Sequence, residues 1–292
     1  MKRSPCPFNL AVVFVGLLSL SLLVTCQRKS KCDYVYLTEN DMPGFDLATD
    51  NSVRDNYLVD SVVWFESPTN YKRATYIYDD DNHLIKRVLK GKVEEGTGVV
   101  RDIYHEDEFE YTDGLVTKIT YRNFTSPYKT ESVQYRRLFY DDQRQLVRSE
   151  GYGGNINYRY CNGKMVSFYL DGGEPFEENC LIYDEYGNVN RYVIYSPEIS
   201  DLGEAFPGTC ETMDFDCAYD RAPKPNFGID YLFVYDPIPG TSYIGGQAGY
   251  VYEMSHNNLV RMNERHWNYT YNAEGLPETI NGLTFYYRKI DK

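Results

Sequence analysis

The chain has 292 residues, a formal net charge of −13, 16% aromatic residues and 30 tyrosines. Its acidic body with few basic clusters excludes nucleic acid as a partner and electrostatic docking on anionic lipid. The length suits one large all-β domain behind a targeting segment.

Residues 1–25 read as a signal peptide. Lys2 and Arg3 precede an apolar run from Phe8 to Thr25, which ends at Cys26. A cysteine directly after such a run is where a lipoprotein takes its lipid, so Cys26 is the expected anchor to the membrane. Thr25 before it, and Arg28, Lys29 and Lys31 after it, keep an uncleaved signal anchor as the competing reading. Both readings place the rest of the chain outside the cytoplasm. Residues 26–56 form a tether and irregular lead-in, and residues 57–292 form a single domain.

From about residue 70 a short unit recurs. In Tyr183-Asp184-Glu185-Tyr186-Gly187-Asn188-Val189, an apolar strand ends in turn residues and a second strand begins. The same order occurs at Tyr78-Asp79 to Leu84 and at Tyr140-Asp141 to Leu146, with Leu or Val six positions after the tyrosine. A further copy runs from Tyr271 through Gly275 to Leu276. Shorter versions stand at Tyr111-Thr-Asp113-Gly114 and Tyr160-Cys-Asn162-Gly163. Asp-Gly and Asn-Gly between β-rich runs are strong hairpin signals. About a dozen antiparallel strands predict tandem hairpins in a curled sheet or open, incomplete barrel. The repeat tyrosines 78, 140, 183 and 271 are expected to pack across strands rather than form a binding platform. Gly187 and Gly275 are expected to supply left-handed backbone.

Residues 196–248 carry no repeat and many Pro and Gly, which predicts a long irregular insertion. Ile229 to Tyr235 is apolar enough to plug or cover the sheet. Cys210 and Cys217 are near enough in sequence to close a disulfide loop there. No zinc-ligand spacing, HExxH motif or GxSxG elbow occurs, so no metal, cofactor or catalytic set is expected. His83, His105, His256 and His266 read as isolated surface side chains. The acid cluster Glu106-Asp107-Glu108 reads as a solvated strand end.

Tyr-Asp-x-x-Gly-x-Val at 183–189 resembles the YD repeat of Rhs-type proteins. The layout over roughly residues 70–290 is similar to a family of uncharacterised bacterial lipoproteins with a porin-like fold. Ser255-His-Asn257-Asn258-Leu-Val260, followed by Trp267 to Pro277, is similar to that family's ending. The sequence departs from it at 196–248 and at Asn82 and Arg144, which stand where the turn glycine would be. The resemblance implies a porin-like all-β fold and an address at the outer membrane of a Gram-negative cell, and brings no catalytic residue. The function expected is a non-enzymatic binding or scaffolding module for a glycan, peptide or membrane-protein partner. The alternative is a polysaccharide- or peptidoglycan-acting hydrolase, with Glu204, Glu211, Asp214 and Asp216 as its candidate acids.

Overall fold

The computed structural model describes residues 53–290 apart from 95, 126–129, 171–177, 200–204, 231 and 233–246. Cys26 therefore lies outside the described residues. A single 3-10 turn, Arg54–Asn56, leads into the strands. These are β1 (Tyr57–Ser67), β2 (Asn70–Tyr78), β3 (Leu84–Glu94), β4 (Val100–Thr112), β5 (Leu115–Thr125), β6 (Thr130–Tyr140), β7 (Leu146–Gly151), β8 (Ile156–Cys161), β9 (Lys164–Leu170), β10 (Glu178–Tyr183), β11 (Val189–Ile199) and β12 (Ala205–Pro223). The helix α1 (Gln247–Met254) follows. The chain ends in β13 (Asn257–Met262), β14 (Arg265–His266), β15 (Tyr269–Tyr271), β16 (Pro277–Ile280) and β17 (Leu283–Lys289).

All seventeen strands belong to one antiparallel sheet that does not close into a barrel. Strands pair with their sequence neighbours from β1 to β14, and β17 returns to pair with β1. Residues 265–271 link the two arms, because β14 pairs with β13 while β15 pairs with β16.

The repeat is a turn and two inward side chains. Asp79 Oδ1 accepts from the N–H of Asp81 (3.0 Å) and His83 (2.8 Å). Asp141, Asp184 and Asn272 do the same for the residues two and four places on. One side chain thus satisfies two backbone donors of a five-residue connection. The left-handed position falls on Asn82 (φ 66°), Arg144 (φ 64°), Gly187 (φ 78°) and Gly275 (φ 80°). The apolar residue after the first three of these turns, Leu84, Leu146 or Val189, is 0% exposed, and in the fourth Leu276, the last residue of the turn itself, is buried instead.

The tyrosine before the turn reaches sideways. Tyr111 donates its hydroxyl hydrogen to Leu84 C=O (2.9 Å), Tyr140 to Val116 C=O (2.8 Å) and Tyr183 to Met165 C=O (2.6 Å). Tyr78 does so to Val59 C=O at 2.6 Å. In each case a strand's last turn is fastened to the first residues of the strand before it. Tyr219, Tyr269 and Tyr287 make the same bond, to Val189, Leu259 and Pro277. Tyr271 departs from the pattern, since it is 37% exposed and its hydroxyl donates to the Asp220 carboxylate instead. Tyr269, two residues earlier, takes the ladder position in that unit.

The segment 196–248 contains more regular structure than its Pro and Gly suggest. β11 extends to Ile199 and β12 occupies 205–223, paired first with β11 and then with β13. Between Met213 and Cys217, charged and apolar residues alternate, and that period of two outweighs the flanking breakers. Beyond β12 the chain turns inward. Phe227 (4% exposed) and Leu232 (2%) are buried in the main core, with the Phe227 ring centroid 5.0 Å from that of Tyr76. From α1, Val251 and Tyr252 are buried and Tyr250 stacks on Phe168. Lys224 donates to the carbonyls of Tyr252 (2.9 Å) and Glu253 (3.2 Å), capping the end of α1.

Ser255, Asn257 and Asn258 are buried joints of the fold, with His256 half-buried between them. Asn188 Oδ1 accepts from the N–H of His256 (3.0 Å) and Asn257 (2.8 Å), and Val189 N–H donates to Ser255 Oγ (2.9 Å). The turn after β10 is thereby pinned to the start of β13.

Candidate functional site, a cleft at the turn rim

The five-residue turns after β2, β6 and β10 and the short β4–β5 turn lie at one end of the sheet. There a cleft of about 460 Å³ opens between the turns of Tyr78, Tyr111 and Tyr140 and the segment 226–230. This volume lies within the range of small-molecule sites, roughly 300–1,000 Å³.

Its walls are fixed from both sides. Val59 N–H donates to Asn226 C=O (2.8 Å) and Leu84 N–H to Gly228 C=O (3.3 Å), so the segment is laid against β1 and β3. Gly228 has φ 65°, and a Cβ there would stand 2.4 Å from Asn82 O. Only glycine allows that approach. Tyr111 and Tyr140 line the cleft with their hydroxyls already committed to backbone carbonyls. The His83 ring lies 5.1 Å from that of Tyr111, with Nδ1 3.2 Å from Asp79 Oδ2. Hydrogen bonds from the His83 backbone and ring hold the Asp79 carboxyl below the usual range, against a burial effect that acts the other way.

The charged lining differs from the wall formed by β3, β4 and β5. Arg54, Asp55 and Asp230 form no ion pair among the described residues, and Arg54 Nε is buried without a hydrogen-bond partner. Arg144 holds Asp113 C=O at 2.9 Å and is otherwise exposed. On the outer wall of the sheet, by contrast, several charges pair, most of them across strands. Lys86 meets Glu106 (2.5 Å) and Glu108 (3.4 Å), and Lys118 meets Glu110 (2.5 Å). Arg122, Arg148 and Arg191 pair with Glu108, Glu150 and Asp214.

A second polar constellation lies inside the sheet. Asp107 is 0% exposed, in the middle of β4, and accepts from Arg87 Nε (2.6 Å). His105 Nε2 lies 2.5 Å from Asp107 Oδ1, and its Nδ1 lies 2.5 Å from Asn123 Oδ1. Burial alone would raise the Asp107 carboxyl, but Arg87 and His105 outweigh it and hold it below the usual range. This overturns two expectations: Asp107 is not at a solvated strand end, and His105 is not a surface histidine. A charged run in sequence does not reveal that its alternate member faces inward. Asp107 is sealed off, so it is a structural ion network rather than a site.

The candidate acids of a hydrolase are not brought together in the cleft. Glu204 lies outside the described residues, and Glu211 is a β12 position. Asp214 and Asp216 are exposed on the outer wall. Arg191 beside Asp214 holds its carboxyl below the usual range, whereas a general acid needs a raised one.

The Cys210–Cys217 disulfide is also overturned. Both residues lie in the extended strand β12, where seven positions span roughly 23 Å, far beyond the ~7 Å Cα limit for a bridge. Among the described residues, Cys161, Cys180 and Cys217 form no disulfide. Burial pushes the Cys217 thiol up to about 12.

Sequence reasoning found the turn tyrosines but missed Tyr219, although Tyr219-Asp220 is the same dipeptide as Tyr78-Asp79. Asp220 Oδ1 even accepts from the N–H two places on, Ala222, at 3.0 Å. It also missed the cleft, whose members Arg54, Tyr111, Arg144 and Asp230 are far apart in the chain.

No protein-family profile matches the chain, and no curated protein matches it. Among solved structures it is similar to a porin-like protein from Bacteroides uniformis, at 14% identity and a TM-score of 0.41, covering 79% of this chain and 96% of that one.

Proposed function

We propose that this protein is a non-enzymatic module of the cell envelope that binds its ligand in the rim cleft. In this reading Cys26 carries a lipid that holds the domain outside the cytoplasm, at the outer membrane of a Gram-negative cell. The observation that carries it is a concave cleft lined by Arg54, Asp55 and Asp230, which have no ion-pair partner among the described residues and are therefore open to a ligand. A charged group that has no internal ion pair to give up is an available contact for a ligand, and bonds made by charged groups are the stronger ones.

The outer wall supports a domain that stands in water beside the membrane. A membrane-spanning barrel turns an apolar band toward lipid, and each Lys or Arg at its midplane costs about 2–4 kcal/mol. Here that wall carries Lys86, Lys118, Arg122 and Arg148, each paired with a glutamate. The interior is occupied by Phe227, Leu232, Val251 and Tyr252, which favours a filled core over a channel.

Two measurements test this reading. Labelled palmitate should enter the wild type and not Cys26→Ser, and the unlipidated protein should leave the membrane on carbonate extraction. Hydrogen exchange of the full chain in the presence of cell-envelope extract should show protection at 79–83, 113–116, 141–145 and 226–230. Protection confined to the β3–β5 wall, or found nowhere, would sink the binding reading.

A further inference from the structure

Resting on the binding reading above, we propose that the rim cleft takes an uncharged saccharide. Three features of the cleft converge on that chemistry. The first is the pair of rings from Tyr111 and Tyr140. Their hydroxyls are consumed by Leu84 and Val116 carbonyls, so each offers a ring rather than a polar tip. The negative face of an aromatic ring attracts the weakly positive C–H groups of a sugar ring.

The second is the mixture of donors and acceptors. A sugar hydroxyl both donates and accepts, so it needs partners of both kinds in one place. Arg54 and Arg144 can only donate, and ionised Asp55 and Asp230 can only accept. Two guanidiniums against two carboxylates leave no net field to favour an anion, and the chain's overall charge of −13 repels one. An apolar ligand would find the two rings with Leu115, Val116 and Ile229, and would leave the four charged side chains of the lining without partners.

The third is rigidity. The turns are fixed by Asp79 and Asp141, and the opposite wall by the backbone approach of Gly228 to Asn82. A ligand that loses much of its own freedom on binding gains from a site that is already ordered.

The test uses the full chain, purified in detergent, on an array of neutral and acidic glycans, with calorimetry on the hits. Neutral oligosaccharides should bind. The double variant Arg54→Gln/Asp230→Asn should weaken them at least about tenfold, a loss of about 1.4 kcal/mol, while Lys118→Gln on the wall leaves them unchanged. A thermal midpoint shows whether the double variant is folded, and saccharide-induced exchange protection at 226–230 in the wild type reads the site without any substitution. No bound glycan, a preference for acidic glycans, or binding indifferent to the double variant overturns the proposal. If glycans fail while an envelope protein fraction still protects 226–230, the saccharide falls and the binding module stands. If neither fraction protects the rim, both fall.

Discussion

The hydroxyl of Tyr183 donates to the carbonyl of Met165 at 2.6 Å, across the pair β9–β10. The tyrosine is 4% exposed, so this bond is made away from competing water. Two substitutions separate its parts. Tyr183→Phe keeps the ring and strands the carbonyl, at roughly 1–3 kcal/mol. Tyr183→Ala removes the ring too and should cost about 2–4 kcal/mol, near the lower part of the range for aromatic truncation. Urea midpoints check both. An unchanged midpoint for Tyr183→Ala would return the tyrosines to the status of a surface platform.

The turns give a reciprocal pair. Gly187 and Arg144 occupy the same left-handed position of two units, at φ 78° and 64°. A Cβ in that region costs roughly 1–2 kcal/mol, and a β-branched one is worse, so Gly187→Val should lower the midpoint. Arg144→Gly relieves the same strain and gives up one exposed hydrogen bond to Asp113, so its midpoint should rise. Measured midpoints moving in the same direction would show that the two turns are not equivalent.

What was legible in the sequence was whatever repeats locally. A strand, an Asx turn and a buried Leu or Val six places after the tyrosine are set by neighbours in the chain, and they appear at Tyr78, Tyr140 and Tyr183 as expected. Three things were hidden. Tyr219 carries the same signal, but surrounding Pro and Gly masked it. The inward turn of Asp107 depends on which face of β4 meets the core, and Glu106 and Glu108 on either side of it blur the alternation. The cleft joins residues 54–55, 83, 111–116, 140–144 and 226–230, which only the curl of the sheet brings together.

The cysteines give a chemical check on β12. After denaturation without reductant, Cys161, Cys180 and Cys217 should each take up one alkyl group, and prior reduction should not change their labelling. In the native protein Cys161 is 1% exposed and the Cys217 thiol is pushed up to about 12 by burial, so both should react slowly. A disulfide-linked peptide joining Cys210 to Cys217 in a non-reduced digest would show that β12 is not extended there.

The buried network predicts an acid-sensitive fold. Asp107 has its folded-state carboxyl held below the usual range, by Arg87 and His105 against the effect of burial. A depressed folded value means that the unfolded chain binds the proton first as pH falls. The stabilisation is therefore fully present above the unfolded value of about 3.9 and disappears progressively below it. Asp79, Glu106 and Asp214 are shifted in the same direction and will add to the acid loss in any variant that keeps them. Asp107→Asn isolates the one group. At pH 7 it should cost roughly 3–5 kcal/mol, because Arg87 is left buried without its counter-charge. Between pH 5 and 3, two values chosen to straddle the unfolded carboxyl at about 3.9, the wild type loses its own Asp107 contribution and the variant has none to lose. The difference in urea midpoint between the two should therefore narrow as pH falls. A gap that stays constant or widens over that interval would mean that Asp107 is not the ionised centre of the network.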